Sequence, residues 1–101
     1  MKKIFVCSPL RGNVKENIAN AKRYCKIVIN DGNIPIAPHL YFPIFLDDNK
    51  EEERELGIKM GLCLLDSCDE MWVFGETISS GMKQEIEYWE KKKGVVYVRN
   101  K

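Results

Sequence analysis

Residues 69–74 read Asp-Glu-Met-Trp-Val-Phe, and the polar segment Gly-Glu-Thr-Ile-Ser-Ser at 75–80 follows them directly. A short apolar run that contains β-forming residues predicts a buried strand, and the polar segment with its glycine predicts a turn. Apolar residues then recur at helical spacing over 81–93, which predicts a helix. The rest of the chain alternates predicted strands and helices in the same way.

The first unit begins at Lys3–Ser8, a run of β-formers that predicts strand one. Asn13 is a good N-cap for the next helix, and Glu16 completes a pattern that resembles a capping box. Gly32 is the expected C-cap of that helix. Strand two is predicted at Ile34–Ala37, where the internal Pro35 indicates the edge of a sheet.

The middle of the chain differs from these regular units. Residues 39–48 are aromatic, have no clear period and predict a loop that folds over something. Helix two is predicted at 51–67, and strand four at 94–98. Gly57 and Gly61 lie on one side of helix two, which indicates either close packing or room for a ligand. The expected inner stripe of helix two consists of Leu56, Met60, Cys63, Leu64 and Ser67.

This element order predicts an α/β fold: a single doubly wound domain over residues 1–101, of the flavodoxin-like type. Its four-stranded parallel sheet has the order 2-1-3-4 and is flanked by three helices. In such a sheet the chain leaves strands one and three in opposite directions, so a crevice opens at their carboxyl ends. The loops at 7–13 and 75–81 therefore meet at the predicted site.

Composition excludes several classes of partner. The 16 basic and 15 acidic residues give a net charge of +1, which provides no long-range field for nucleic acid or a membrane surface. No apolar stretch approaches the roughly 20 residues of a membrane span. The four cysteines lack C-x-x-C spacing and predict reduced core residues in a cytoplasmic protein. With a single histidine, we expect no metal site and no cofactor.

The predicted site contains polar groups from both loops and from the segment between strand two and helix two. Helix N-termini with serine, glycine and arginine nearby suit an anion such as a phosphate, although the first loop is equally consistent with a plain turn. The candidate anion-binding residues are Ser8, Arg11, Gly12, Asn13, Ser79, Ser80 and Gly81. The segment between strand two and helix two contributes the further candidate ligand contacts His39, Tyr41, Asp47 and Asp48.

Glu85 is the acidic residue that helical spacing singles out. It shares a face with Met82, Ile86 and Trp89, and a carboxylate on an inward stripe is costly unless it is paired or needed. The alternative is a glutamate at the edge of that stripe that reaches water. Glu85 is therefore the acidic residue that spacing sets apart, with both interpretations left open.

Residues 68–89, CDEMWVFGETISSGMKQEIEYW, resemble the C-terminal core of the nucleoside 2-deoxyribosyltransferase superfamily, and more closely its 2'-deoxynucleoside 5'-phosphate N-hydrolases. The turn at 7–12 is similar to the phosphate-side loop of those N-hydrolases. The whole chain is similar to an uncharacterised bacterial and phage branch of the superfamily. The resemblance implies a glutamate nucleophile at Glu85, and a serine at Ser79 that accepts a 5'-phosphate.

One part of that pattern is missing. The catalytic families carry an aspartate on the helix before strand three, where this chain has Gly57–Gly61. Glu55, Asp47 or Asp48 are the candidate substitutes.

Three hypotheses follow. The first is an N-glycosidase or deoxyribosyltransferase, the second a protein that binds a nucleotide without cleaving it, and the third an interaction domain whose aromatic loop contacts a partner. All three predict a homodimer or a higher homo-oligomer, and the first two predict a small nucleotide or nucleoside ligand.

Overall fold

The computed structural model describes residues 1–99, and its four strands form one sheet in which every pair is parallel. The sheet order β2-β1-β3-β4 confirms the α/β fold that the sequence predicts. The strands are β1 (Lys3–Cys7), β2 (Ile34–Ile36), β3 (Glu70–Phe74) and β4 (Tyr97–Arg99). The helices are α1 (Val14–Asn30), α2 (Phe42–Phe45), α3 (Glu51–Asp66) and α4 (Ser80–Lys92), with a 3-10 helix at Pro38–Leu40.

Strand β1 lies in the interior of the sheet because its apolar run must be covered on both faces. Phe5 is in register with Ile36 of β2 on one side and with Met71 of β3 on the other. Strand β2 lies at the edge and contains Pro35, as the proline predicts. The carboxyl ends of β1 and β3 are therefore neighbours.

Alternation along β1 and β3 divides the core into two layers. Helix α1 covers one face of the sheet, and helices α3 and α4 cover the other face. The α1 layer contains Ile4, Val6, Tyr24, Val28, Ala37, Trp72 and Phe74. The α3/α4 layer contains Phe5, Cys7, Leu65, Cys68, Met71, Val73, Met82 and Trp89.

Each layer holds one of the two tryptophans. Trp72 lies in the α1 layer, its indole N–H donates to Glu70, and the Arg99 guanidinium carbon lies 4.1 Å from its ring centroid. Trp89 lies in the α3/α4 layer, where its indole N–H donates to the carbonyl of Val95.

Helix α1 begins at its predicted N-cap, and its C-cap lies one residue before the predicted Gly32. The Asn13 side chain accepts a hydrogen bond from the backbone N–H of Glu16 at 3.3 Å, and its amide donates to the Glu16 carboxylate at 2.9 Å. Asp31 is the C-cap, and Gly32 follows it with a φ of +83°. A glycine favours that left-handed conformation, which lets the Gly32 N–H return to the carbonyl of Ile29.

The expectation of three helices was wrong, because residues 1–99 contain a fourth, the short α2. The segment predicted as a loop contains the 3-10 helix and α2, in which Pro43 occupies one of the first two positions. Proline is favoured there because its fixed φ suits the first turn. The fourth strand also begins later than predicted: Gly94 to Val96 form the connection after α4, and β4 spans Tyr97–Arg99.

The predicted inner stripe of α3 was also wrong. Gly61 and Leu65 are its buried residues, while Leu56, Cys63 and Ser67 are exposed. The inner face of α3 instead runs through Gly61 and Leu65, with the partly buried Leu62 packed against the same layer. Cys63 is thus a surface residue and not the core residue that its helical position suggested.

The helices within residues 1–99 include none that is both long and apolar enough to cross a membrane.

Candidate functional site

The carboxyl end of β1 holds two adjacent residues that point to opposite faces of the sheet. Cys7 enters the α3/α4 layer, and its thiol donates to Oε1 of Glu85 at an Sγ–O distance of 3.4 Å. Ser8 is buried, and its Oγ lies 2.9 Å from Nε2 of His39. Each face at this end of the sheet thus has one titratable side chain fixed against β1.

Glu85 lies on α4 one turn after Met82 and one turn before Trp89, both of which are buried. These anchors turn the carboxyl group toward β1 and α3. Burial raises the pKa of Glu85 from an ordinary 4.5 to about 7, and the hydrogen bond from Cys7 opposes that rise. The predicted inward orientation of Glu85 is therefore present, and its carboxyl group changes charge near neutral pH.

Helix α3 presents no side chain at its closest approach to Glu85. Gly61 is buried, and a Cβ placed on it would lie 4.0 Å from Oε2 of Glu85. Gly57, one turn earlier, instead approaches Leu46, whose Cδ1 would lie 3.4 Å from an added Cβ. Both glycines therefore lie where α3 closely approaches another side chain, Gly57 beside Leu46 and Gly61 beside the Glu85 carboxylate.

His39 lies in the 3-10 helix after the buried Ala37 and Pro38. Burial lowers its pKa to about 4, so the imidazole is neutral at pH 7. A neutral ring has one N–H and one acceptor nitrogen, and Nε2 accordingly either accepts from the Ser8 hydroxyl or donates to it. His39 thereby joins the β1 loop to the segment that follows β2.

The two predicted loops do meet at this end of the sheet. A Cβ on Gly75 would lie 3.1 Å from Cδ of Pro9, so the turn after β3 contacts the loop after β1 at a position that only glycine fits well. Helix α4 then begins at Ser80, and Ser79 caps it by accepting the N–H of Met82 at 3.2 Å. The N–H groups of the first turn point toward the same end of the sheet.

Several other candidate residues form an exposed group near the start of α3. Nε of Arg11 donates to Oδ2 of Asp48 at 2.7 Å, with both side chains about half exposed. Asp47 accepts the N–H of Asn49, and Tyr41 is 40% exposed. Arg11 therefore pairs with Asp48 instead of facing the α4 N-terminus, where a shared anion site would place it. Gly12 and Asn13 are exposed at the start of α1.

Two open grooves flank this region. The first, of about 480 Å³, runs along α2 and the beginning of α3 and is lined by Pro43, Ile44, Phe45, Leu46, Asp47, Asp48, Lys50 and Glu53. The second, of about 410 Å³, lies between α1 and the turn after β3, and its lining includes Pro9, Asn17, Tyr24, Gly75 and Thr77. Glu85 lines neither groove.

No second carboxylate bonds to Glu85 within residues 1–99. Asp66 accepts the hydroxyl of Tyr88 at 2.9 Å, and Asp69 accepts the backbone N–H of Lys3 at 2.8 Å. Glu55 is exposed on α3. The same residues contain no cluster of three His, Cys, Asp or Glu side chains suited to a metal ion.

Sequence reasoning missed two members of the site. Cys7 was interpreted only as a core residue, although its position as the last residue of strand one placed it at the predicted crevice. Gly61 was assigned to one side of α3 without a neighbour. Strand alternation provided a signal for Cys7, whereas the contact of Gly61 with Glu85 depends on the packing of α3 against α4.

The fold and this site define a doubly wound α/β domain with a desolvated carboxyl group at the end of its central strand. The chain belongs to the family described as domain of unknown function DUF7768, whose model matches residues 2–99. No curated protein matches the chain.

Proposed function

We propose that this protein is an N-glycosidase or deoxyribosyltransferase-like enzyme that cleaves the base–sugar bond of a deoxynucleoside 5'-phosphate, with Glu85 as its nucleophile. The observation that carries the proposal is the Glu85 carboxyl group, desolvated and held at the carboxyl end of β1. A pKa of about 7 leaves a large share of this group ionised, and therefore nucleophilic, at neutral pH. The resemblance of residues 68–89 to the N-hydrolases supports the same role.

In the proposed reaction the carboxylate of Glu85 attacks C1' of the sugar. The new C–O bond forms as the C1'–N bond breaks, and the electron pair of that bond leaves with the base, which takes a proton from water. A second water then attacks C1' as the bond from C1' to the Glu85 oxygen breaks, which releases the sugar phosphate and returns the carboxylate, as in retaining glycosidases. The proton that the second water loses neutralises the hydroxide left by the first. We propose that the sugar approaches Oε2, the oxygen of Glu85 that lies beside Gly61.

The 5'-phosphate is proposed to bind at the start of α4. Ser79 caps this helix, and the N–H groups of Ser80 and Gly81 have no intrahelical acceptor because they belong to the first turn. The proposed contacts of Ser8, Arg11, Gly12 and Asn13 come from the opposite loop. Arg11 would exchange its exposed partner Asp48 for the phosphate, and an exposed ion pair costs little to break.

Base release from deoxynucleoside 5'-monophosphates, followed by chromatography, tests the proposal. We expect Glu85→Gln to reduce the rate by roughly 10³-fold or more, because an amide is not a nucleophile. Glu87→Gln is the matched control, since Glu87 is exposed on the same helix, and it should retain the wild-type rate. Wild-type protein that releases no base from any of these nucleotides would refute the proposal.

A second candidate is a protein that binds a nucleotide without cleaving it. The observation in its favour is Gly61, which stands where α3 approaches Glu85 and supplies no second carboxylate. This candidate predicts a rise in Tm with deoxynucleotide concentration and no base release.

We also propose self-association and a cytoplasmic location. Helix α2 and its surroundings expose Tyr41, Ile44 (75% exposed) and Phe45 (70% exposed), an apolar surface that a second copy would cover. The mass in solution, measured by light scattering, tests this. All four cysteines are free, which suits a reducing compartment.

A further inference from the structure

Cys7, at the end of β1, makes a hydrogen bond to Glu85, the proposed nucleophile. Cys7 has no exposed surface, and its Sγ lies 3.4 Å from Oε1 of Glu85 and 3.9 Å from the carbonyl oxygen of Met82. Both neighbours are acceptors, so the thiol acts as a donor. Burial, together with the adjacent carboxylate, raises the pKa of Cys7 well above that of an ordinary thiol and keeps its hydrogen in place.

The contact distinguishes the two carboxylate oxygens of Glu85. Oε1 is directed to the end of β1, whereas Oε2 is directed to Gly61. In residues 1–99, every fully buried side-chain nitrogen or oxygen has a hydrogen-bond partner. Oε2 receives no hydrogen bond from those residues, so it must reach solvent. The thiol thus holds Oε1, and Oε2 is the oxygen that keeps contact with solvent.

We infer that Cys7 is a positioning residue for Glu85: its S–H holds Oε1 and thereby presents Oε2 as the attacking oxygen. The inference rests on the proposed function and extends it, because it specifies which oxygen reacts and what orients it. A thiol suits this position, since it is a donor small and apolar enough for the α3/α4 layer.

The surroundings of Glu85 make the effect of Cys7 measurable. The α3 helix presents the glycine at position 61, and the α4 neighbours Met82 and Trp89 carry no charge. Besides burial, Cys7 is the group that moves the pKa of Glu85, and it does so downward. Removal of the thiol should therefore raise the pKa of Glu85, and none of these neighbours carries a charge that would offset the rise.

The experiment measures the pH dependence of base release for the wild type, Cys7→Ala and Cys7→Ser. For the wild type we expect a rate that rises with pH through a midpoint of about 7 as Glu85 ionises. For Cys7→Ala the midpoint should move up by roughly half a unit to one unit, the effect of one lost hydrogen bond. Its limiting kcat at high pH should fall on the order of tenfold with KM unchanged, because the carboxylate is no longer oriented. Cys7→Ser retains a donor and should recover most of that loss.

Cys68→Ala is the matched control. Cys68 is a buried thiol of the same layer, but it donates to the backbone carbonyl of Leu64 and does not contact Glu85. We expect this variant to lose stability as Cys7→Ala does and to keep the wild-type midpoint and kcat. An equal midpoint and kcat in Cys7→Ala and the wild type would overturn the inference, as would the same changes in Cys68→Ala.

A second readout separates this inference from the proposed function. Carbon-13 NMR of protein labelled at the glutamate carboxyl groups, with Glu85→Gln to assign the signal, gives the pKa of Glu85 without any substrate. If the wild type releases no base, the proposed function fails, and an upward shift of the Glu85 titration in Cys7→Ala still supports the contact. If base is released but the titration is the same in Cys7→Ala, the positioning role alone fails.

Discussion

The two faces of the sheet at the end of β1 respond to protons in opposite ways. On the α3/α4 side, burial raises the pKa of Glu85 to about 7, and on the α1 side burial lowers the pKa of His39 to about 4. Both shifts have the same cause, which is that a desolvated group favours its neutral form. Because one group is an acid and the other a base, the same burial makes one face sensitive to alkali and the other to acid.

The consequences for stability follow from the direction of each shift. A glutamate with a raised pKa stabilises the fold below its unfolded value of about 4.5, and this stabilisation is lost as the pH rises through about 7. A histidine with a lowered pKa leaves the fold stable above its unfolded value of about 6.5, and stability is lost as the pH falls toward 4. Between pH 5 and 7 the two slopes are opposite and nearly equal, so their sum is almost flat.

The largest effect is expected from Glu85→Gln. The rise of the Glu85 pKa from 4.5 to about 7 corresponds to about 3 kcal/mol, so this variant should be more stable than the wild type by up to about that amount at pH 8.5. Urea unfolding at pH 5 and pH 8.5 measures the difference. A variant with the same dependence on pH as the wild type would show that Glu85 is solvated, and the contrast between the faces would disappear.

The next effect is expected from His39→Gln, which keeps a polar group beside Ser8. In Glu85→Gln, of these two groups only His39 makes the unfolding free energy depend on pH. That free energy should fall by about 2 kcal/mol from pH 7 to pH 5. In His39→Gln, of these two groups only Glu85 makes the unfolding free energy depend on pH. That free energy should rise by about 2 kcal/mol from pH 7 to pH 5. The double variant should be nearly flat, like the wild type. Two single variants with slopes of the same sign would contradict the comparison.

The smallest effect distinguishes the two helix starts. Ser79 caps α4 beside the proposed phosphate site, and Asn13 caps α1 on the opposite side. Ser79→Ala and Asn13→Ala should each cost about 1 kcal/mol of stability in urea unfolding. In the base-release assay, however, we expect Ser79→Ala to raise KM for the 5'-phosphate more than Asn13→Ala does. Equal changes in KM would indicate that the α4 N-terminus contributes no more to phosphate binding than the proposed contact at Asn13.

Much of the fold could be predicted because local patterns decide it. The apolar runs at β1 and β3, the cap at Asn13 and the glycine at position 32 fix the elements and their order, and parallel pairing follows from alternation of strands and helices. The short helix α2 was missed because aromatic residues around Pro43 have no clear period. The inner face of α3 was missed because its leucines lie on more than one side of the helix, and because the buried Gly61 carries no hydrophobic signal.

The candidate site was predictable in part for the same reason. The inward orientation of Glu85 follows from helical spacing, and the meeting of the two loops follows from the sheet order. The partners of its polar groups do not follow from spacing. Cys7 with Glu85, Ser8 with His39, and Arg11 with Asp48 join residues that are far apart in the chain, and only tertiary packing brings them together.

The placement of one tryptophan in each layer gives the molecule two built-in optical reporters. Trp72 senses the α1 face, and Trp89 senses the α3/α4 face. A variant that keeps only one indole would emit from a single layer, so its fluorescence would follow the loosening of that layer alone. If the two layers unfold separately, the fluorescence transitions of the two single-tryptophan variants will differ. If the domain unfolds as a unit, the two transitions will coincide.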